Sequence, residues 1–217
     1  MQEHCCGADK LFDIKEAQRK RRQYAARGPR GVTRRLINKL KPLMAPDCSL
    51  LDIGGGIGAI GLELGKAGLG SYTAVDASSG YQQMARDLFS ERSPSLKTQF
   101  ILGDYVEEQT ARASYDMVAL DKVICCYPQM EDLLRKAAGS TNAVLALSYP
   151  PSGWFSRLLQ KAANLFLWLR QNPFRTYIHP EKKVHQILKD EGLEPRFKGW
   201  AFPWRLEIWQ RQNVNST

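Results

Sequence analysis

Apolar positions along the chain follow two alternating patterns. Short uninterrupted runs, of the kind that fill a strand buried on both faces, alternate with stretches where apolar residues recur at helical spacing. The runs at Leu50–Ile53, Ser71–Asp76, Thr98–Leu102, Tyr115–Leu120 and Asn142–Ser148 predict five strands, and Arg196–Gln212 predicts two more, turned near Pro203. Helical spacing predicts helices over Leu11–Ala26, ended by Gly28-Pro29, and over Val32–Leu40, which stops before Pro42. Further helices are expected after Gly58, over Ser79–Ser90, over about Ser152–Gln171, and over Glu181–Glu191, ended by Gly192. Strands alternating with helices predict an α/β fold on a parallel sheet, closed by an antiparallel hairpin.

The stretch Leu50 to Leu64 carries the candidate chemistry. A buried strand runs into Gly54, Gly55, Gly56 and Gly58, and a helix follows. Glycines at a strand-to-helix turn let backbone pass close to a ligand and leave free N–H groups facing it. Gly54-x-Gly56-x-x-Ala59, with Asp76 about twenty residues on, also satisfies the dinucleotide fingerprint. Asp52 shifts the balance. A carboxylate two residues before the first glycine suits a cofactor carrying an ammonium and a sulfonium, and would repel a pyrophosphate. A nicotinamide-dependent oxidoreductase is further disfavoured because no tyrosine is followed by Lys at Tyr-x-x-x-Lys spacing.

Asp52-Ile53-Gly54-Gly55-Gly56-Ile57-Gly58 resembles the first motif of the class I S-adenosylmethionine-dependent methyltransferases. The resemblance covers about Ser49 to Gln212. It implies a Rossmann-like three-layer sandwich with a mostly parallel seven-stranded sheet and an antiparallel C-terminal hairpin. It also implies S-adenosyl-L-methionine as cofactor. Asp76, followed by Ala77, falls where the family binds the ribose hydroxyls; its other reading is a helix cap, a role Ser78 or Ser79 could take instead. Asp104 falls at the adenine corner, with Tyr105 packing on the ring. Asp121, ending the fourth strand, faces the same crevice.

A narrower likeness, to the magnesium-protoporphyrin IX methyltransferases, runs from Leu120-Asp121 through Tyr127-Pro128 to Tyr177-Ile178-His179. In that subfamily a histidine directly precedes the Tyr-Pro pair, and here the residue is Cys126, so a different acceptor, acidic or hydroxylated, is expected. Methyl transfer requires alignment of donor and acceptor more than acid–base work. A carboxylate acceptor needs no base; a phenol would need one, and Tyr127 and His179 are the candidates. Cys125 and Cys126 read as small buried hydrophobes.

In this family the segment before the first strand folds over the cofactor. Residues 1–48 are therefore expected to form a basic helical lid on a cofactor domain spanning 49–212. Tyr24 and Arg21 either point at the site or pack on the body with Arg21 snorkelling outward. The helix after Pro151, within an insertion of about 152–180, either roofs the substrate pocket or lies on a membrane surface through residues 152–171. The loop after it brings Arg175, Tyr177 and His179 toward the pocket.

Composition changes this picture in one respect. The 217 residues carry a net charge of +9, and twelve Lys or Arg against two acids lie between Lys10 and Lys41. A basic arm opens an alternative reading, an RNA methyltransferase or nucleic-acid-binding protein. Few aromatics interleave those cations, and the Asx-Pro-Pro-aromatic motif of base methyltransferases is absent, so an anionic small-molecule acceptor is favoured over nucleic acid. Five cysteines without Cys-x-x-Cys spacing point away from a zinc site or disulfide framework and toward a reducing compartment, the cytoplasm. No metal is called for.

Overall fold

The computed structural model describes residues 3–109 and 114–212. Three helices come first: α1 (Glu3–Leu11), α2 (Ile14–Arg27) and α3 (Gly31–Leu40). The alternating body follows as β1 (Ser49–Ile53), α4 (Ala59–Gly65), β2 (Ser71–Asp76), α5 (Ser79–Arg92), β3 (Lys97–Leu102), β4 (Tyr115–Asp121), α6 (Met130–Gly139) and β5 (Thr141–Tyr149). Last come α7 (Trp154–Leu169), α8 (Glu181–Asp190), β6 (Leu193–Ala201) and β7 (Trp204–Arg211). All seven expected strands are present, and α6 is an element the sequence reading did not include.

The strands form one sheet in the order β3-β2-β1-β4-β5-β7-β6. β1 to β5 run parallel, and β7 inserts antiparallel between β5 and β6. Side chains alternate across it, as a strand buried on both faces requires. Leu50, Tyr72, Ala74 and Met117 face a core built with α2, α3, α4 and α5, while Leu51, Val75, Val118 and Leu147 face one built with α6 and α8. The sheet is thus the middle layer of a three-layer sandwich. Sequential order reverses between β1 and β4, which opens a crevice beyond the carboxyl ends of these strands.

One buried acid is fully partnered inside this fold. Glu207 on β7 has no exposed surface, and it accepts hydrogen bonds from Tyr149 Oη (2.8 Å), Trp209 Nε1 (3.0 Å) and His185 Nε2 (2.9 Å). A buried carboxylate without such donors would cost several kcal/mol, so this network is what permits a charged residue in the antiparallel strand.

The expected helix over Leu11–Ala26 is α2, starting at Ile14, and α1, which ends at Leu11, is a helix the sequence reading did not include. Asp13 accepts from Glu16 N (2.9 Å) and caps α2, and a side chain that caps the next helix ends the previous one. The break at Phe12-Asp13 sits against the start of α5, where Ser78 Oγ donates to Phe12 O (2.6 Å) and Ser79 N to Asp9 Oδ1 (2.7 Å).

Candidate cofactor and acceptor cleft

The glycine turn joins β1 to α4. Gly54 (φ 61°) and Gly56 (φ 58°) have left-handed backbone, and a Cβ on Gly54 would lie 2.7 Å from Val123 Cγ2. A Cβ on Gly56 would meet nothing within 4 Å, so this backbone faces open space. Gly58 is the left-handed residue preceding α4, and Gly55 accepts from its N–H (3.0 Å). The turn presents bare backbone to the crevice, as a close-lying ligand requires.

Asp76 anchors that turn. Its Oδ2 accepts from Gly56 N (2.9 Å) and its Oδ1 from Ser78 N (2.8 Å). Ser78, not Asp76, caps α5, accepting from Tyr81 N (3.0 Å). A carboxylate has more acceptor sites than two donors occupy, so Asp76, with Ala77 beside it partly exposed, keeps capacity for hydroxyl donors in the crevice. Burial pushes its carboxyl up to about 6, against the pull of the two N–H groups.

Asp52 is wholly buried behind the turn, beneath Gly55. Its Oδ2 accepts from Tyr72 Oη (3.0 Å), while its Oδ1 has no partner. Burial pushes this carboxyl up to about 8. An unsatisfied buried carboxylate under a ligand-facing turn matches a cationic group held above it, which fits the ammonium and sulfonium of the expected cofactor. The fit is electrostatic, acting through the turn, because Asp52 does not line the crevice.

Asp104 is buried at the end of β3, and its Oδ1 accepts from Val106 N (3.0 Å) and Tyr127 Oη (2.6 Å). Two expectations change here. Tyr127, expected as a candidate base, is buried with its hydroxyl donating to Asp104. Tyr105 turns its ring into the core beside α6, its hydroxyl 2.9 Å from Ser140 Oγ and its ring 4.8 Å from Lys136 Nζ. Tyr105 is therefore part of the core beside α6 and does not pack on a ring in the crevice as expected.

Asp121 is the hub at the end of β4. Its Oδ1 accepts from Ser148 Oγ (2.5 Å), and its Oδ2 from Thr33 Oγ1 (2.5 Å) and Lys122 Nζ (3.1 Å). Lys122 Nζ also donates to Thr33 Oγ1 (2.8 Å). Lys122 has φ 65°, a strained conformation for a residue with a Cβ, and such strain concentrates at functional sites. Lys20 of α2 is exposed, 3.9 Å from Glu16; burial lowers its pKa, Glu16 opposes that, and the charges of Lys122 and Asp121 act on it more weakly.

The sequence singled out neither lysine. For Arg21 and Tyr24 it left two readings, pointing at the site or packing on the body, and the second is the one found. Arg21 Nη2 donates to both oxygens of Glu91 (2.6 and 2.8 Å) in the last turn of α5, and buried Tyr24 donates to Glu63 Oε1 (2.9 Å) on α4. Helix α5 starts at the crevice and runs back along the sheet, so a partner near its C-terminus lies at the far end. One step of 100° along α2 separates the exposed Lys20 from Arg21.

The loop after α7 does reach the cleft end of β4. Tyr177 N donates to Cys125 O (2.7 Å), and the Tyr177 and His179 rings stack at 6.0 Å. His179 Nε2 lies 2.9 Å from Ile124 O and 3.1 Å from Tyr127 O, so it carries the proton and donates. Burial lowers its pKa. Arg175 turns back, its Nη1 donating to Asn172 O (2.6 Å) and Phe174 O (2.7 Å) of its own loop.

Helix α1 closes the picture. A Cβ on Gly7 would lie 2.4 Å from Phe174 N, so α1 packs backbone to backbone on that loop. Phe12 stacks on Tyr81 of α5 and meets Phe174 edge-on, both at 5.6 Å between centroids. The segment touching both sides of the crevice is therefore α1 and Phe12, at the head of the expected lid segment 1–48, where the sequence reading placed no helix before Leu11.

Comparison with known proteins agrees with this geometry. Residues 50–143, from β1 into β5, match the family profile described as a methyltransferase domain. No curated protein matches the chain in sequence. Among solved structures, magnesium protoporphyrin IX methyltransferase from Synechocystis PCC 6803 with bound SAM superposes with a TM-score of 0.73 at 18% identity, covering 98% of this chain and 99% of that one. The same enzyme with bound SAH gives 0.71 at 20% identity over 94% and 98%. An O-methyltransferase family protein from Burkholderia thailandensis gives 0.64 at 15% identity, over 84% of this chain and 57% of that one. At such identities the likeness is one of fold.

Proposed function

We propose that this chain, a class I S-adenosylmethionine-dependent methyltransferase, methylates a carboxylate oxygen of a small amphipathic acid. The observation that carries the acceptor class is the state of the two candidate bases. Tyr127 is committed as a donor to Asp104, and His179 has its Nε2–H tied to two carbonyls, which fixes the ring and leaves Nδ1 as its one basic nitrogen. An acceptor that is already anionic at neutral pH needs neither group. The cation that could receive it is Lys122, at Asp121 beside the end of β4, with the exposed Lys20 a second positive charge felt there from α2.

S-adenosylmethionine supplies the methyl group: a carbon–oxygen bond forms as the carbon–sulfur bond breaks, and the electron pair returns to sulfur. The chain's own residues position and shield. Asp76 holds the glycine turn and offers remaining acceptor capacity to ribose hydroxyls, Asp104 stands at the adenine corner, and Asp52, raised to about 8 by burial, gains its charge when a cationic end lies above it. Lys122, fixed by Thr33 and Asp121, aligns the acceptor carboxylate, which is where the rate gain of orientation arises. Helix α1 and Phe12, at the head of a basic N-terminal segment of residues 1–48, exclude water by spanning α5 and the 172–179 loop. A reducing compartment, the cytoplasm, belongs to this reading, with Cys125 and Cys126 as thiols 3.8 Å apart.

A methyl-transfer screen with labelled cofactor tests this reading, using amphipathic carboxylic acids, phenols and bulk RNA as acceptors. The expected product is a methyl ester that releases labelled methanol in mild alkali. Lys122→Asn, chosen because Asn tolerates left-handed backbone, and Lys20→Ala should each raise KM for the acid and leave cofactor affinity unchanged. Alkali-stable label in RNA or on a phenol would overturn it.

A further inference from the structure

An amphipathic helix ordinarily turns its apolar arc to the core. Helix α7 does the opposite. At 100° per residue, Trp154, Leu165, Leu158, Leu169, Phe155, Phe166 and Leu159 occupy an arc of about 140°. All seven face solvent, with exposures between 49% and 78%. The contacts holding α7 to the body are polar. Gln160 Nε2 and Asn164 Nδ2 donate to Thr176 O (2.7 and 2.9 Å), Thr176 N donates to Asn164 Oδ1 (2.8 Å), and Leu167 is the one buried residue of the helix. Rotating the arc inward would break these bonds. The expectation that this face roofs the substrate pocket is therefore not met.

Three further observations identify what covers the arc. Arg157 and Lys161 flank it, with the exposed Trp168 between them, and Arg170 and Arg175 follow; no acidic residue occurs between Asp132 and Glu181. Sixteen residues at 1.5 Å rise are too few to cross a bilayer, and no described helix is long and apolar enough to do so. Pairing of Tyr149 with Arg205 puts the β6–β7 turn, with Phe202 87% exposed and Trp200 half exposed, at the same end of the sheet as the strand leading to α7.

We propose that α7, with the Phe202 turn, seats this protein on an anionic lipid bilayer, its cleft end toward the membrane. Apolar residues with basic and Trp flanks are the composition of an interfacial helix. Anionic lipid complements the unbroken positive charge, whereas a second copy would bring a helix of the same charge against this one. The seating also gives an amphipathic acid a short path from leaflet to cleft. That corollary rests on the proposed acceptor; the docking itself does not.

The test is co-sedimentation of the full chain with vesicles of phosphatidylcholine alone and of phosphatidylcholine mixed with phosphatidylglycerol. Binding to the mixed vesicles, weakened by salt, and little to the neutral ones is expected. The double variant Leu158→Gln/Leu165→Gln should lower partitioning roughly a hundredfold, from the loss of two inserted side chains. Its melting temperature and S-adenosylmethionine affinity should be unchanged, which separates a failure of docking from a failure of the methyl-transfer reading. Wild-type protein remaining in the supernatant with mixed vesicles would overturn the proposal. So would a dimer in solution that the double variant dissociates while vesicle binding persists.

Discussion

Asp76 makes the sharpest prediction, because one group moves stability and cofactor affinity in opposite directions with pH. Burial raises its folded pKa to about 6, and an unfolded Asp titrates near ~3.9. The folded chain therefore holds a proton that the unfolded chain has lost between these values. Stability from this group is fully present below about pH 4 and is lost as pH rises through 6. Two units at about 1.4 kcal/mol each set an upper bound of about 3 kcal/mol, and the side chain's residual exposure reduces it to about half.

The cofactor should respond the other way. Ribose hydroxyls donate to a carboxylate, so affinity should fall about tenfold for each pH unit below 6 and stay level above it. Asp76→Asn separates the two effects. The amide oxygen still accepts one backbone N–H, but the amide nitrogen faces the other, Gly56 N or Ser78 N. That leaves a donor unsatisfied at about 1–3 kcal/mol, partly offset by removal of the ionisation cost. Net stability at neutral pH should fall by less than about 2 kcal/mol, while loss of a charged acceptor should weaken S-adenosylmethionine about thirtyfold. Titration calorimetry from pH 5 to 8, with urea unfolding of the cofactor-free protein at each pH, measures both. Level affinity through pH 6 in the wild type, or unaltered affinity in folded Asp76→Asn, would refute the reasoning.

The remaining predictions address residues around this centre. Asp52, pushed up to about 8 by burial, makes the cofactor-free fold lose stability as pH rises from about 4 to 8, so Asp52→Asn should gain some 2–4 kcal/mol over wild type at pH 9 and much less at pH 5; equal gains at both pH values in urea titrations would contradict this. Arg21→Ala removes a surface pair with Glu91 and should cost under about 1 kcal/mol with kcat/KM unchanged, so a large loss of activity would put Arg21 back at the site. Deleting residues 1–12 removes α1 and Phe12 but keeps the Asp13 cap; kcat/KM should fall about tenfold or more while the melting temperature drops a few degrees. Normal turnover of that truncation would end the lid assignment. Glu207→Ala strands His185 and the buried Tyr149 and Trp209 donors and should destabilise the fold by about 3–5 kcal/mol without altering cofactor affinity in the folded fraction.

Much of this architecture is local and was therefore legible in the sequence. A strand buried on both faces needs an unbroken apolar run, a turn with left-handed backbone selects glycine, and Pro203 marks the hairpin, so seven strands and the Asp52–Gly58 turn could be placed from residue order alone. Strand ends followed, and with them the acids at 76, 104 and 121 that the parallel sheet gathers at one crevice. What the sequence left open depends on rotation and on partners distant in the chain. One position along α2 separates Lys20, exposed beside Glu16, from Arg21, which turns to Glu91 of α5, and periodicity cannot resolve that step without knowing which neighbour the helix meets. Thr33 and Ser148 become site residues only because α3 and β5 converge on Asp121. Tyr127 and His179 look like free bases until Asp104 and two carbonyls are seen to hold them. The apolar arc of α7 reads from its sequence as a face awaiting a core. Its direction was settled by Thr176, a loop residue whose four hydrogen bonds with Gln160 and Asn164 fix the polar side inward and leave the greasy side to the outside.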